Sequence, residues 1–100
     1  MSVWRVDYVR PVLRREMAEW LDGSADAAER AARSARLAAA FAELERQLLA
    51  DPFGATDPRN DLKAADMLSG VAVVHGFVFG VGIHAPSKTA WVSHIAPPTH

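Results

Sequence analysis

Apolar residues recur along this chain in two different periods, and the change falls near Ser69. From there to Pro97 the sequence reads SGVAVVHGFVFGVGIHAPSKTAWVSHIAP. Phe77, Phe79, Val81 and Ile83 share one side of an extended chain, and Val78, Gly80 and Gly82 the other. With the apolar run Val71–Val74 and the alternation after Thr89, this predicts strands over 71–75, 77–84 and 89–95. Gly76 can supply the positive φ of a tight hairpin loop at His75-Gly76. Pro86 suits the second position of a turn over Ala85–Lys88. That turn sets a register in which Gly82 opposes Trp91 and Gly80 opposes Ser93, with the Trp91 indole lying over the glycines. Phe79, Val81, Ile83, Ala90 and Val92 then form the core face.

The first two-thirds is mostly helical in period. Trp4, Val6 and Tyr8 alternate with Arg5 and Asp7, which predicts a strand over 3–9. Pro11 suits a first helical turn, and Leu13, Met17, Trp20 and Leu21 recur at helical spacing up to Gly23, giving a helix over 11–22. Asp26 with Glu29 fits a capping box, and Leu37, Phe41, Leu44 and Leu48 continue a helix over 25–50 until Asp51-Pro52. Such a helix is about 37 Å long, more than a small sheet needs, so one end should protrude. FGATDPRN (53–60) reads as a loop, and 61–67 as a helical turn or an irregular lead-in. The expectation is a single α+β domain over 1–100, β-α-α-β-β-β, with an antiparallel-rich sheet covered on one face by two helices.

A membrane helix competes for Met67–Pro86, which holds no Asp, Glu, Lys or Arg. Four glycines, two histidines and a period of two argue for strands instead. Half of the 100 residues are apolar, enough for one core. There is no cysteine, which excludes thiolate chemistry and fits a reducing compartment. The opening MSVWRVDYVR lacks the apolar core of a signal peptide, so a cytoplasmic protein with no membrane contact is expected. Eleven basic and twelve acidic residues nearly cancel, which disfavours nonspecific nucleic-acid binding. Every acidic residue lies at or before Asp66, and after it only Lys88 carries a full charge. All four histidines fall in that neutral C-terminal part, which becomes cationic as they protonate.

The order of elements, the opening WRVDYVRPVLRREM, the stretch ERQLLADPFGATDPRN and the closing GFVFGVGIHAPSKTAWVSHI together resemble the RelE/ParE superfamily of toxin–antitoxin toxins (the plasmid stabilisation family). The resemblance covers nearly the whole chain. It implies a small toxin held by an antitoxin that wraps it, with either ribosome-bound mRNA or gyrase as target. Ribonuclease members commonly carry an arginine in the third strand, where this chain has Val78. The resemblance therefore implies action by protein–protein binding ahead of RNA cleavage.

Several side chains are candidates for chemistry. His94 and His84 have the pKa that suits both proton transfers of RNA cleavage, and His94 matches where some family ribonucleases keep a functional histidine. That gives a second reading, a histidine-dependent mRNA interferase. Arg59, Lys63 and Lys88 could grip a phosphate. Arg30, Arg33 and Arg36 form a basic strip, with Glu29 suggesting salt bridges. Metal binding by His75, His84 and His94 lacks a nearby acid, and no metal or cofactor is expected. Val71, Val73, Val78, Trp91 and Ile95 should share an apolar sheet face for an antitoxin or a second copy of the chain. A third reading makes that face the whole function, as a non-toxic oligomerisation or interaction domain.

Overall fold

The computed structural model describes residues 3–62 and 66–98, with side chains left undescribed at 60–62. The chain is an α+β domain built on a five-stranded mixed sheet. Its elements run β1 (Arg5–Tyr8), α1 (Arg10–Asp22), α2 (Ala27–Ala50), a single turn α3 (Pro52–Ala55), β2 (Asp57–Leu62), β3 (Met67–Val74), β4 (Phe77–His84) and β5 (Thr89–Ala96). The strand order is β1-β5-β4-β3-β2. β1 lies parallel to β5, and the other three pairings are antiparallel.

Local chemistry explains most boundaries. Asp26 caps α2 by accepting from the Glu29 N–H at 2.8 Å, and Glu29 reaches back to the Ala25 N–H at 2.5 Å. Gly23 ends α1 at φ −75°, so its freedom to go left-handed is unused. The Trp20 carbonyl there accepts instead from the Arg33 guanidinium at 2.5 Å. His75 and Gly76 both have positive φ, 51° and 83°, the signature of a type I′ hairpin turn. Met67–Pro86 is therefore a β-hairpin and its exit. No helix among the described residues is long and apolar enough to cross a membrane.

The core lies between the helices and one face of the sheet. Leu13 of α1 and Leu37, Ala40, Leu44 and Leu48 of α2 pack on Ala72, Val74, Phe77, Phe79, Val81, Ile83, Ala90 and Val92. Aromatic rings run through it in sequence. Trp20 meets Phe77 at 5.0 Å, Phe77 meets Phe79 at 6.3 Å, Phe79 meets Phe41 at 5.2 Å, and Phe41 meets Tyr8 at 6.1 Å. Burial in α2 begins only at Leu37, so its first half projects past the sheet and stretches the molecule to 46 Å.

Four expectations need correction. The stretch read as a loop, 53–60, holds α3 and the start of a fifth strand, β2. Pro58 disguised it. Proline is tolerated in an edge strand, where its missing N–H costs no ladder bond, and β2 is an edge with Arg59 bulged out between Pro58 and Asn60. Gly82 does oppose Trp91, but the register then shifts, and Gly80 opposes His94 instead of Ser93. That bulge turns Ile95 to the core, where it is 6% exposed, so Ile95 leaves the partner face it was assigned to. The Trp91 indole also does not cover the glycines. The space over Gly82 belongs to the Met67 methyl group, and that over Gly80 to Ser93 and His94.

Candidate functional site

Two surfaces stand out, and neither is a buried catalytic cleft. The first is the sheet face opposite the helices. Reading across the strands, Val73 and Val78 pair with Ala96 alongside; Val71, Gly80 and His94 form the next row; Ser69, Gly82 and Trp91 the one after. Val73 is 65% exposed, Trp91 38% and Val78 36%, while Val71 is half-buried. Beneath them the other face of the same strands is fully packed. The period of two that builds the core thus forces these apolar side chains outward. Among the described residues charge enters at the margins, with Arg5 and Asp7 on β1, Asp57 and Arg59 on β2, and Glu16 of α1 beside His94.

The second surface is a groove where β1 passes into α1. Tyr8, Leu13, Met17 and Phe41 line a hollow of about 300 Å³, with Arg10 and Arg14 beside them. Arg10, Leu13, Arg14 and Met17 stand at i, i+3, i+4 and i+7, so one stripe of α1 carries both the apolar wall and the two guanidiniums. Arg10 lies over the Tyr8 ring at 5.9 Å. Burial raises the Tyr8 hydroxyl pKa, the Glu45 carboxylate adds to the rise, and Arg10 opposes it. The arginines are oddly placed for stability alone. The first turn of α1 holds no acid, and cations at a helix N-terminus oppose its dipole. Like charges at i, i+4 add a further small cost. Neither arginine joins an ion pair among the described residues.

β1 is also an open edge beside this groove. The Arg5 N–H bonds to the Lys88 carbonyl and the Val9 N–H to the Val92 carbonyl, each at 2.9 Å. By the alternation of a parallel ladder, the Val6 and Tyr8 amides point away from β5.

The histidines do not converge. His84 caps the β4–β5 turn, its Nδ1 at 2.6 Å from the Ser87 hydroxyl. His94 stands opposite Gly80, four positions back along β4 from His84. At roughly 3.3 Å per residue the two imidazoles are separated by about 13 Å, too far to serve one phosphodiester. His94 instead faces Glu16 of α1, Nδ1 to Oε1 at 3.5 Å, and the same carboxylate accepts the Ile95 N–H at 3.0 Å. Glu16 thus takes a backbone donor of β5 beyond the point where β1 has ended. His75 sits in the far hairpin turn, near Glu43. The Arg46 guanidinium beside Glu43, helped by Gln47, holds that carboxyl down at about 2. No group of three metal-binding side chains occurs among the described residues.

The proposed phosphate grip is not assembled either. Arg59 pairs with Asp57 at 3.0 Å on the β2 edge. Lys88 sits in the β4–β5 turn with φ 50°, and β3 and β4 lie between β2 and β5. Lys63 is outside the described residues. The basic strip of α2 is engaged internally. Arg30 pairs with Asp22 at 2.9 Å, Arg33 with Glu29 at 3.1 Å, and Arg36 covers Trp20 and Phe77 at 5.6 and 5.8 Å.

The fold is a mixed-sheet α+β domain with two distinctive exposed surfaces, one largely uncharged and apolar, one apolar and cationic. No family model matches this chain, and no curated protein or solved structure is similar enough to count as a match.

Proposed function

We propose that this chain is a RelE/ParE-like toxin-fold protein that acts by protein–protein binding in a toxin–antitoxin system. In this reading the groove beside β1 takes an apolar, acid-bearing segment of the antitoxin. The observation that carries it is the pair Arg10 and Arg14 on the wall of the Tyr8–Leu13–Met17–Phe41 hollow, with no acid paired to either among the described residues. A partner carboxylate would offset both the like-charge repulsion and the unfavourable helix dipole. An apolar side chain would fill the hollow, and the open Val6–Tyr8 edge offers main-chain hydrogen bonds to an extended segment. The neutral sheet face supplies none of this charge complementarity. The separation of His84 and His94 weighs against a two-histidine ribonuclease.

Two measurements test the proposal. Inducible expression in a bacterial host should arrest growth while bulk mRNA stays intact. Normal growth at verified expression would remove the toxin reading, and mRNA cut on ribosomes would replace it with the nuclease. For the groove, a labelled Leu/Glu-rich peptide of about 12 residues should bind at micromolar concentration by fluorescence anisotropy. The double variant Arg10→Glu/Arg14→Glu should weaken that binding at least ~30-fold, as loss of two close charge pairs does. Equal binding by variant and parent would rule the groove out.

A further inference from the structure

We infer that the helix-free sheet face is a self-association surface, and that its occupant is a second copy of this chain packed face to face through Val73, Val78 and Trp91. This is independent of the groove, which lies on the helical side with Leu13 and Phe41.

Charge argues for the occupant. β3, β4 and β5 carry no Asp, Glu, Lys or Arg anywhere along their length. Such a surface attracts neither a nucleic acid nor an acidic or basic peptide. What it complements is another uncharged, apolar, gently twisted surface, and this chain supplies one in the same face. An isologous pair meets that condition without a second gene product. The margins agree. A twofold axis along β4 sets the β1 margin of one copy against the β2 margin of the other, and each margin carries one acid and one base, Arg5 with Asp7 and Asp57 with Arg59. The same axis sets Trp91, on one side of β4, against β3 of the second copy, one row from Val71. Ser93 and His94 over Gly80, and the Met67 methyl group over Gly82, fill in the middle strand between those two sides.

Area sets the strength. Five strands at about 4.8 Å spacing and about 3.3 Å per residue give a face of roughly 600 Å². Standard interfaces bury about 800 Å² per partner, so this one falls at the weak end. A dimer with a dissociation constant of tens of micromolar is expected.

Sedimentation velocity between ~1 and ~500 µM, with no partner peptide present, tests this. The parent chain should shift from monomer to dimer across that range. Val73→Lys should raise the dissociation constant at least ~10-fold, because it buries an unpaired charge against the uncharged Ala96 end of β5 in the second copy. Val73 is 65% exposed, so the variant keeps its fold, which circular dichroism verifies. Val78→Lys should behave alike. A parent that stays monomeric at ~500 µM overturns the inference, as does a dimer that both variants leave unchanged.

Discussion

Replacing Phe79 by alanine is expected to destabilise the domain by about 4 kcal/mol. Phe79 is fully buried at the middle of β4, the central strand of the sheet. Its ring lies edge-on to Phe41 at 5.2 Å and tilted to Phe77 at 6.3 Å. It is therefore the link between the half of the aromatic row that reaches Trp20 and the half that reaches Tyr8. Removing it opens a cavity bounded by α2 on one side and the sheet on the other. Neither is free to collapse, because Leu44 and Leu48 already pin the helix at 1% and 0% exposure. Domains of this size are stable by only about 5–10 kcal/mol, so the loss is a large share of the margin. A fall in melting temperature of about 15–30 °C should follow by circular dichroism. Val73→Ala, on the exposed face, should move it by no more than a few degrees. A Phe79→Ala variant that melts within about 5 °C of the parent would mean that the rings are not the structural link described.

The second large effect is expected at Gly70. A Cβ there would sit 2.1 Å from the Asp57 carbonyl oxygen and 2.9 Å from the Thr56 Cγ2. The clash is with the backbone of β2, which cannot swing away as a side chain can. Alanine would normally gain about 0.5–1 kcal/mol over glycine in a strand by limiting the unfolded chain. Here overpacking outweighs that gain, and a net loss of about 2 kcal/mol is expected. The damage should be local. β2 is an edge strand, already bulged at Arg59, so it should lift from β3 before the rest yields. Hydrogen exchange should quicken along β2 and the facing edge of β3 while β4 and β5 keep their protection. Gly82→Ala is the contrasting case. Its obstruction is the Met67 methyl group at 2.9 Å, the end of a flexible side chain that can turn aside. If Gly70→Ala proves more stable than the parent, the close approach of β2 is wrong.

These two glycines show where sequence reading stops. Gly82 lies inside a predicted strand, 77–84, and Gly70 one residue before another, 71–75, and neither position signals a close approach on paper. Only the approach of β2 separates them, and β2 was not foreseen, because Pro58 and the turn-forming Asp57 and Asn60 read as loop. The candidate site was readable in a similarly uneven way. Val71, Val73, Val78 and Trp91 were placed on one face by alternation alone. Ile95 was lost from it because one extra residue at the β5 bulge reverses the pattern beyond it, and alternation carries no sign of a bulge. The groove left a fainter signal. Arg10 and Arg14 share a stripe with Leu13 and Met17 in a helix whose first turn has no acid, a pattern easily taken for the polar side of an amphipathic helix.

What the sequence determined by itself was whatever rests on contacts within a few residues. The period of Phe77–Ile83 makes a strand, Asp26 and Glu29 start a helix, and His75-Gly76 turns a hairpin, each through its own backbone hydrogen bonds and φ preferences. The tertiary structure decided what depends on distant neighbours. It set β1 parallel to β5 across more than eighty residues of chain, gave Pro58 an edge to occupy, and turned Ile95 inward. It also brought Phe41 of α2 against Tyr8 and α1, closing a hollow that neither helix holds alone. Such pairings are selected by the shared burial of surfaces far apart in the chain, and no local pattern records which surfaces those are.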